Sequence, residues 1–337
     1  MLRKDTGLIT WVLTDGKAGD ELQALSITEA LGLRPEIRRI KPSPPFSWFM
    51  PWGPIDPRER KGSPGSPLAP PFPDLLVASG RRAVAYLRHV KRASEGRTYT
   101  VFLKDPRTGP KTADFIWSPE YDRLRGPNVL NTLTPPHRIS AKKLEAARAE
   151  PDPRLALLAH PRIAVLAGGD SRHHRFLDED TARFIRHLTA VAETGAGLMV
   201  TVSRRTPPAL RAALMAVTAK HGGFFWDGTG ENPYVDLLAL ADFVVATADS
   251  FNMIGEAAVT GRPILVFEPS GGHPKLDVYM RALKAHGVVH PFEGRLEGQP
   301  YEPLNSTPKV AEAIAEGFSR HRRALGLPDI AFSLETP

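Results

Sequence analysis

Residues 241–269 constrain the fold of this chain more than any other stretch. Residues 243–246 are a short, wholly apolar run, the composition of a strand that is buried on both faces of a parallel sheet. Asp249 and Ser250 follow where a helix N-cap belongs, and a Gly-Arg-Pro turn ends that helix before a second apolar run. The stretch therefore predicts two parallel strands joined by a helix that begins at their carboxyl ends.

The same alternation of strands and helices runs through both halves of the chain. The first half is predicted to have strands at 8–13, 36–40, 75–79, 98–103, 113–117 and 128–131, and helices at 21–31 and 81–92. The second half is predicted to have strands at 162–167, 197–203, 223–226, 243–246 and 264–267, and helices at 178–193, 208–220, 233–239, 275–285 and 309–325. Strands that alternate with helices form doubly wound parallel sheets, so we expect an α/β protein.

The predicted domain boundary lies in a charged segment near the middle of the chain. With 337 residues the chain is long enough for two domains, each with its own core. Residues 141–149 read as a charged helix and 150–153 hold two prolines. We therefore place an N-terminal domain at 1–148 and a C-terminal domain at 149–318, and we expect the tail at 319–337 to pack back on the N-terminal domain.

A proline-rich insertion at 42–73 interrupts the N-terminal domain. Its eleven prolines exclude regular secondary structure. Its first part carries five large apolar side chains, which are Phe46, Trp48, Phe49, Met50 and Trp52. Packing onto the domain is the commonest explanation for such side chains, and a lid, an acceptor platform or a membrane contact are the sharper alternatives.

Composition and charge exclude several kinds of site and partner. The chain has no cysteine, which excludes disulfides, thiolate metal sites and cysteine nucleophiles and fits a reducing compartment, so we expect a cytoplasmic protein. The apolar run at 8–13 is too short for a signal-peptide core or a membrane span. The net charge of +7 suits anionic partners. Because no nucleic-acid motif accompanies the scattered basic residues, nucleotide phosphates and an acidic membrane face are favoured over nucleic acid.

The sequence predicts neither a metal nor a cofactor. His173 and His174 are adjacent, so they would point apart on a regular element, and no HxxxH or HExxH pattern is present. The turn after the first strand contains two glycines but is neither GxGxxG nor a Walker loop.

Polar residues follow three predicted strands of the C-terminal domain, where α/β proteins build their binding sites. Glycines there allow close backbone approach, arginines match charge-dense phosphates, and a helix start offers free N–H groups to an anion. The residues are Gly168, Gly169, Ser171, Ser203, Arg204, Arg205, Asp249, Ser250 and Asn252. We expect them to bind a diphosphate or sugar; surface solvation and ordinary helix capping are the alternatives.

A second polar set follows strands of the N-terminal domain. It comprises Asp15, Gly16, Lys17, Lys104, Asp105 and Arg107, with His137 further along. An Asx turn at Asp15 and local ion pairs around Asp105 are the ordinary structural explanations. A lone histidine beside two prolines, as at His137, is more often structural than catalytic.

Several segments taken together resemble one family. They are TDGKAGDELQALSITEALGL at 14–33, LKDPR at 103–107, NTLTPPHRI at 131–139, VLAGGDSR at 165–172, TVSRRTP at 201–207 and ADSFNMIGEAAVTGRPILVFEP at 248–269. These segments are similar to those of the family named for a plant mitochondrial fission (elongated-mitochondria) protein, whose bacterial members are regarded as candidate glycosyltransferases. The resemblance implies a GT-B architecture, with two Rossmann-like domains and a cleft between them.

The resemblance also implies roles for residues on each domain. The C-terminal domain would hold a nucleotide-sugar donor, with Glu256 on the ribose and Asn232 near the base. The N-terminal domain would hold a saccharide or glycolipid acceptor of the cell envelope, such as a lipopolysaccharide core, with Asp15 or Asp105 as the general base. Transfer would be metal-independent and inverting, and the basic charge suits peripheral contact with the inner membrane.

Two other functions remain open on the sequence. A degenerate fold of this kind would serve as a scaffold that recruits a partner to a membrane, although charged residues at strand ends argue against that. A two-domain nucleotide-sugar epimerase would share the donor site and need no separate acceptor.

Overall fold

The computed structural model describes residues 7–334; residues 1–6 and 335–337, which the predicted domain ranges include, lie outside it. By its internal contacts the chain divides into two compact units. Unit 1 comprises Met1–Arg138 and Ser306–Pro337, and unit 2 comprises Ile139–Asn305. The exact sequence-based domain limits stay predictions.

Unit 1 contains a six-stranded parallel sheet. Its strands are β1 (Thr10–Thr14), β2 (Glu36–Arg39), β3 (Leu75–Ser79), β4 (Tyr99–Leu103), β5 (Phe115–Pro119) and β6 (Val129–Thr132), in the order β2-β1-β3-β4-β5-β6. Every neighbouring pair is parallel. Strands β1, β3, β4 and β5 are buried along their whole length, which explains why they read as continuous apolar runs.

Three helices cover this sheet, and one of them comes from the far end of the chain. They are α1 (Ala18–Ala30), α2 (Ala83–Ala93) and α10 (Thr307–Ala324). Helix α10 contacts α1, β4 and β5, and its Val310, Ile314 and Phe318 share a core cluster with Ile27 of α1. Unit 1 therefore buries one of its sheet faces under residues that are separated by more than two hundred positions in sequence.

Gly317 allows α10 to pack closely on β4. A Cβ at Gly317 would lie 2.0 Å from the hydroxyl of Tyr99, which is itself buried. The Tyr99 ring packs edge-on against Phe318 with centroids 5.9 Å apart. The glycine in mid-helix, which costs helix propensity, is thus explained by a close tertiary contact.

The proline-rich segment 42–73 is irregular apart from the short 3₁₀ helix Pro57–Glu59. It packs on α2: Met50, Ile55 and Leu68 are buried in the same cluster as Tyr86, and the Tyr86 hydroxyl accepts a hydrogen bond from the Asp56 backbone N–H. The insertion is therefore an anchored part of unit 1.

Unit 2 contains a second six-stranded parallel sheet. Its strands are β7 (Arg162–Ala167), β9 (Gly197–Val202), β10 (Phe224–Phe225), β11 (Phe243–Thr247), β12 (Ile264–Phe267) and β14 (Val289–Pro291), in the order β10-β9-β7-β11-β12-β14. All neighbouring pairs are parallel. Two residues of β8 (His174–Arg175) and two of β13 (Ser270–Gly271) form a small antiparallel pair.

Seven helices of unit 2 complete its layers. They are α3 (Ala141–Ala149), α4 (Pro153–Ala156), α5 (Asp178–Glu193), α6 (Pro208–Lys220), α7 (Tyr234–Leu240), α8 (Phe251–Ala257) and α9 (Pro274–Ala285). Leu188 of α5 and Leu214 of α6 share a core cluster with Val165 of β7 and Val245 of β11. Within residues 7–334, no helix combines the length and the apolar character that a membrane span requires.

Candidate functional site

The carboxyl edge of the unit 2 sheet brings three loops together. Strands β9, β7 and β11 are parallel neighbours, so the residues after them lie side by side. The Asp249 carboxylate, after β11, accepts hydrogen bonds from the Gly169 backbone N–H at 3.1 Å and from Arg205 Nη2 at 2.7 Å. One carboxylate therefore ties the loop after β7 and the loop after β9 to the start of α8.

Asp249 is a positioning residue at this edge. Its side chain is 0% exposed, whereas that of Arg205 is 44% exposed. Its second oxygen accepts a hydrogen bond from the Thr247 hydroxyl at 2.6 Å, and the same hydroxyl accepts one from the Gly168 backbone N–H at 2.7 Å. Both oxygens of the Asp249 carboxylate thus accept hydrogen bonds inside the protein. They hold the guanidinium of Arg205 at the surface, where it is accessible to solvent.

The two glycines after β7 are required by packing. A Cβ on Gly168 would lie 2.0 Å from Asp249 Oδ1, and a Cβ on Gly169 would lie 2.0 Å from the carbonyl oxygen of Arg205. Any side chain here would push the loop after β7 away from the Asp249–Arg205 pair. The glycine turn predicted from the sequence is thus part of the same assembly as the arginine loop.

The loop after β9 folds into a tight turn. The Ser203 hydroxyl accepts a hydrogen bond from the Arg205 backbone N–H at 3.1 Å, and the Thr206 hydroxyl bonds to the Gly168 carbonyl. Arg205 also donates from Nη1 to the Asp170 carbonyl at 3.0 Å. The neighbouring Arg204 is exposed. Ser203 therefore shapes the turn, and the two arginines carry its positive charge.

The helix after β11 begins as the sequence predicts. Ser250 is the N-cap of α8, and its hydroxyl accepts a hydrogen bond from the Met253 backbone N–H at 3.4 Å. Asn252 lies half-buried in the first turn. Helix α8 places Glu256 one turn further in, on the side where Tyr234 of α7 approaches.

Glu256 and Tyr234 form a pair. The Tyr234 hydroxyl donates to Glu256 Oε2 at 2.7 Å. Burial raises the pKa of the Glu256 carboxyl above its ordinary value, although the hydrogen bond from Tyr234 works in the opposite direction. Burial and the adjacent carboxylate raise the pKa of Tyr234 well above 10. The pair holds one oxygen of Glu256 in place and leaves the other for a further donor.

Two predicted donor residues have local structural roles. Asn232, which is exposed and precedes the N-cap Pro233, accepts a hydrogen bond from the backbone N–H of Tyr234, the first residue of α7, at 3.1 Å. The Ser171 hydroxyl accepts hydrogen bonds from the backbone N–H groups of His173 and His174, at 3.2 and 3.0 Å. These bonds shape the loops on either side of the arginine turn.

The carboxyl edge of the unit 1 sheet holds a buried carboxylate. The Asp15 side chain, directly after β1, is 1% exposed, and Lys17 Nζ lies 3.0 Å from its Oδ2. Within residues 7–334 neither Asp15 oxygen receives a hydrogen bond. Gly16, next in sequence, has a φ of +82° and is exposed, so the backbone beside Asp15 is open to solvent. A buried carboxylate with unused acceptor capacity is unusual and points to a ligand.

A second carboxylate lies beside Asp15. Asp20 Oδ1, in the first turn of α1, accepts hydrogen bonds from Lys104 Nζ at 2.6 Å and from the Ser79 hydroxyl at 3.3 Å. A Cβ on Gly80 would lie 2.9 Å from Asp20 Oδ2 and 3.7 Å from Asp15 Oδ1, so this glycine adjoins both carboxylates. Three neighbouring strands thus contribute to one charged cluster.

Lys104 adopts a strained backbone to reach this cluster. Its φ is +87°, in the left-handed region that a side-chain-bearing residue enters at a cost of about 1–3 kcal/mol. Its ammonium pairs with Asp20, whereas the local ion-pair interpretation of the sequence joins it to Asp105. Strain of this kind concentrates at functional sites.

Asp105 and His137 occupy more ordinary settings. Asp105 Oδ1 accepts a hydrogen bond from the Arg107 backbone N–H at 2.8 Å, which makes an Asx turn, and the Arg107 side chain is exposed. The backbone N–H and carbonyl of the buried His137 bond to the Thr307 hydroxyl at 2.9 and 3.0 Å, where α10 begins. The contacts of His137 therefore join the β6 connection to α10.

Comparison with known proteins identifies relatives by sequence. The mitochondrial fission ELM1 family matches residues 18–318. The chain is 25% identical over 283 residues to the mitochondrial fission protein ELM1 of Arabidopsis thaliana, which covers 73% of this chain and 65% of that protein. It is 29% identical over 194 residues to an uncharacterized protein of Rickettsia prowazekii, covering 55% and 52% of the two chains. The chain thus spans less than two thirds of the length of either relative.

Solved structures resemble the fold at low sequence identity. A candidate UDP-N-acetylglucosamine 2-epimerase of Listeria monocytogenes has a TM-score of 0.57 at 12% identity, with 98% of this chain and 100% of that chain covered. The S. aureus protein MnaA with UDP has a TM-score of 0.52 at 12% identity and the same coverage. The two parallel α/β sheets and this likeness confirm the predicted GT-B-like fold class. Since the family match extends over most of the described residues, the chain belongs to the mitochondrial fission ELM1 family.

Proposed function

We propose that this protein is a glycosyltransferase that uses a nucleotide-activated sugar. Unit 2 binds the nucleotide diphosphate at the carboxyl edge of its sheet, and unit 1 supplies the acceptor site and the general base. The observation that carries the proposal is the assembly around Asp249, which fixes a glycine turn and the exposed Arg205 beside the start of α8.

The donor residues have distinct tasks in this proposal. Arg204 and Arg205 contact the diphosphate, and Gly168 and Gly169 let it approach the backbone. The free oxygen of Glu256 accepts hydrogen bonds from the ribose hydroxyls. The fold is shared with the S. aureus protein MnaA, which was solved with UDP, and a uridine nucleotide is therefore the first probe.

In the proposed reaction one proton is transferred to the base, one bond forms at the anomeric carbon and another bond at that carbon breaks. Asp15 takes the proton from an acceptor hydroxyl while that oxygen bonds to the anomeric carbon. The bond between the anomeric carbon and the diphosphate oxygen breaks, and the diphosphate leaves with the electron pair. The guanidiniums of Arg204 and Arg205 stabilise its developing negative charge, the task that a metal ion performs in other transferases. Attack by a single base-activated acceptor inverts the anomeric configuration.

Asp15 is preferred to Asp105 as the base. Asp15 is buried, pairs with Lys17, receives no hydrogen bond within residues 7–334 and lies beside an open glycine, whereas Asp105 already accepts the N–H of its own Asx turn. Lys104 and Asp20 lie next to Asp15 and would orient the acceptor. We propose an envelope saccharide or glycolipid as acceptor and a cytoplasmic, membrane-peripheral location, supported by the net charge of +7 and the lack of cysteine.

Calorimetry with UDP, GDP, CMP and ADP tests the donor site. At least one nucleotide should bind, and binding should weaken in Arg205→Ala while remaining unchanged in Arg295→Ala. Arg295 is an exposed arginine of the same unit, so its removal subtracts the same charge elsewhere. Binding that EDTA does not reduce is expected. Failure of all four nucleotides to bind would contradict the proposal.

A nucleotide-sugar epimerase is the second candidate, since the solved structures with TM-scores of 0.57 and 0.50 include UDP-N-acetylglucosamine 2-epimerases. Incubation with UDP-N-acetylglucosamine alone distinguishes the two: an epimerase changes the sugar without any acceptor, whereas a transferase requires one. A scaffold without catalysis, which the name of the plant relative suggests, would need neither the buried Asp15 nor the Arg205 assembly.

A further inference from the structure

Three large aromatic side chains are exposed within five residues of the proline-rich segment. Trp48 is 70% exposed, Phe49 is 60% exposed and Trp52 is 66% exposed. Burying one such side chain contributes on the order of 2 kcal/mol, so a folded chain rarely leaves three of them together in water. We call residues 46–53 the aromatic loop.

The aromatic loop displays these side chains in a fixed arrangement. Between them Met50 is fully buried in the unit 1 core. The backbone N–H of Trp48 donates a hydrogen bond to the Pro45 carbonyl at 3.0 Å. The backbone N–H groups of Trp52 and Gly53 both donate to the Phe49 carbonyl, at 2.9 and 2.8 Å. A Cβ on Gly53 would lie 2.6 Å from the Phe49 Cβ, so the turn is tight. The loop therefore buries Met50 in the core of unit 1 while its three aromatic side chains stay exposed to solvent.

A basic patch accompanies the aromatic loop on the same anchored segment. Arg60 and Lys61 are exposed, and α2 contributes the exposed Arg92. Burial lowers the pKa of His89, and the positive charges of Arg92, Arg60 and Lys61 lower it further, so all three cations act electrostatically on this histidine. His89 lies one turn along α2 from Tyr86, whose hydroxyl bonds to Glu59 and accepts the Asp56 N–H. The insertion therefore fixes the basic patch and the aromatic loop to one helix.

This pairing identifies the chemistry of the occupant. Tryptophan and phenylalanine partition into the interface between water and lipid tails, where their rings are shielded and the indole N–H stays hydrated. Clustered lysine and arginine side chains attract the phosphates of anionic lipids.

We propose that the aromatic loop docks on an anionic lipid surface, with Trp48, Phe49 and Trp52 entering the headgroup region and Arg60, Lys61 and Arg92 on lipid phosphates. The contact is peripheral, because only one loop of unit 1 enters the lipid. It gives unit 1 a defined orientation for an acceptor that is itself held in a membrane. The inference names the surface that would give the membrane-peripheral location proposed above, and it does not require glycosyl transfer.

Flotation with lipid vesicles tests the docking without any donor nucleotide. The protein should bind vesicles of phosphatidylcholine with 30% phosphatidylglycerol, bind pure phosphatidylcholine weakly, and lose binding in high salt as the charges are screened. Replacing Trp48, Phe49 and Trp52 with serine, or reversing the charge of Arg60 and Lys61, should reduce the partition coefficient about tenfold or more.

Leu157→Ser and Met215→Ser, exposed apolar positions of unit 2, are the matched controls and should leave binding unchanged.

Tryptophan fluorescence locates the contact independently. Trp11 and Trp117 are fully buried, and the half-buried Trp226 belongs to unit 2. Quenching by vesicles of brominated phosphatidylcholine with phosphatidylglycerol should therefore come from Trp48 and Trp52. The variant with both replaced by phenylalanine should still bind the vesicles while losing that quenching. Circular dichroism melts of every variant verify that unit 1 stays folded.

Three results would overturn the inference. The first is wild-type protein that ignores anionic vesicles, and the second is binding that the aromatic variant retains in full. The third is a dimer by light scattering that the aromatic variant converts to monomer in the absence of vesicle binding, which would assign the aromatic loop to a second copy of the chain. Nucleotide binding is measured separately on the same samples, so a failure of the donor site and a failure of membrane docking are distinguishable.

Discussion

At Asp15 and Glu256 the fold buries a carboxylate and leaves part of its capacity to accept hydrogen bonds unused. Glu256 has one oxygen on Tyr234, and Asp15, among the residues that the structure describes, is paired only with Lys17. Burying such groups costs free energy that packing elsewhere must offset. A ligand that donates hydroxyl or ammonium protons would recover part of that cost, which is why both residues enter the proposed site.

The ionisation of Glu256 should oppose stability and support binding. Because burial raises its pKa in the folded protein, its stabilising contribution is present below the unfolded pKa and is lost as pH rises through the folded pKa. Nucleotide binding should change in the other direction, strengthening as the carboxylate forms. Denaturant titrations and calorimetry between about pH 4 and pH 8 measure both.

Glu256→Gln should remove both pH dependences and weaken nucleotide binding by about 1–3 kcal/mol. Glu268→Gln is the matched control, since Glu268 is an exposed glutamate after β12. Nucleotide affinity that keeps its full pH dependence in Glu256→Gln would assign the ribose contact to another residue.

Asp15→Asn should bind nucleotide normally and transfer sugar about 10²–10⁴-fold more slowly, because a neutral amide cannot take the acceptor proton. Turnover with a saturating donor, beside calorimetry on the same protein, separates the two effects. Asp105→Asn is the comparison. Full activity in Asp15→Asn with loss in Asp105→Asn would exchange the two roles.

Residue types and positions in the loops were predictable, but their partners were not. The sequence indicates Asp249 as a phosphate-side residue, yet its carboxylate is wholly buried against Gly169 and Arg205. Asp20 and Tyr234 were missed as partners of Lys104 and Glu256 because each pair joins separate elements, which no local pattern reports. For Lys104, the sequence offered one indication of a role in the site, which was its position directly after an apolar strand.

Elements with a strong period or a continuous apolar run were predictable from local sequence. The predicted strand at 162–167 and helix at 178–193 coincide with β7 and α5. The two-residue strands β8 and β13 were missed because they pair only with each other across ninety-odd positions. Helix α4 and strand β14 were missed because three or four residues carry no detectable period.

Gly168→Ala should destabilise unit 2 by about 1–3 kcal/mol, since its Cβ meets a buried, fully engaged carboxylate that cannot move. The loop displacement should also weaken nucleotide binding. Gly62→Ala, where a Cβ would meet nothing within 4 Å, is the control. Urea titrations give the free energy of unfolding, and a neutral effect of Gly168→Ala would show that this edge adjusts more readily than its packing indicates.

At the scale of the whole molecule, unit 2 is inserted into unit 1. The chain leaves unit 1 after Arg138 and returns to it at Ser306. Two runs of alternating strands and helices made the two α/β sheets predictable, and the helix predicted at the C-terminal end is present as α10. The assignment of α10 to unit 1 depends on its contacts with α1 and β4, and both elements are distant from α10 in sequence. Local sequence patterns do not report such contacts.

Ile314→Ala in α10 should cost unit 1 about 2–5 kcal/mol, because Ile314 is fully buried against the first sheet. Hydrogen exchange should quicken in β1 and β3 while β7 and β11 keep their protection. Leu325→Ala, at an exposed position after the same helix, should change neither. Equal loss of protection in both sheets would mean that the units unfold as one.

The late position of α10 also bears on how the protein is made. During synthesis unit 2 is complete before the ribosome reaches Ser306, whereas the sheet face that α10 covers stays bare until residues 307–324 emerge. Nascent chains with exposed apolar faces aggregate or engage chaperones. Chains that stop before α10 should therefore yield a folded unit 2 attached to an aggregation-prone unit 1, so synthesis through α10 becomes a condition for solubility.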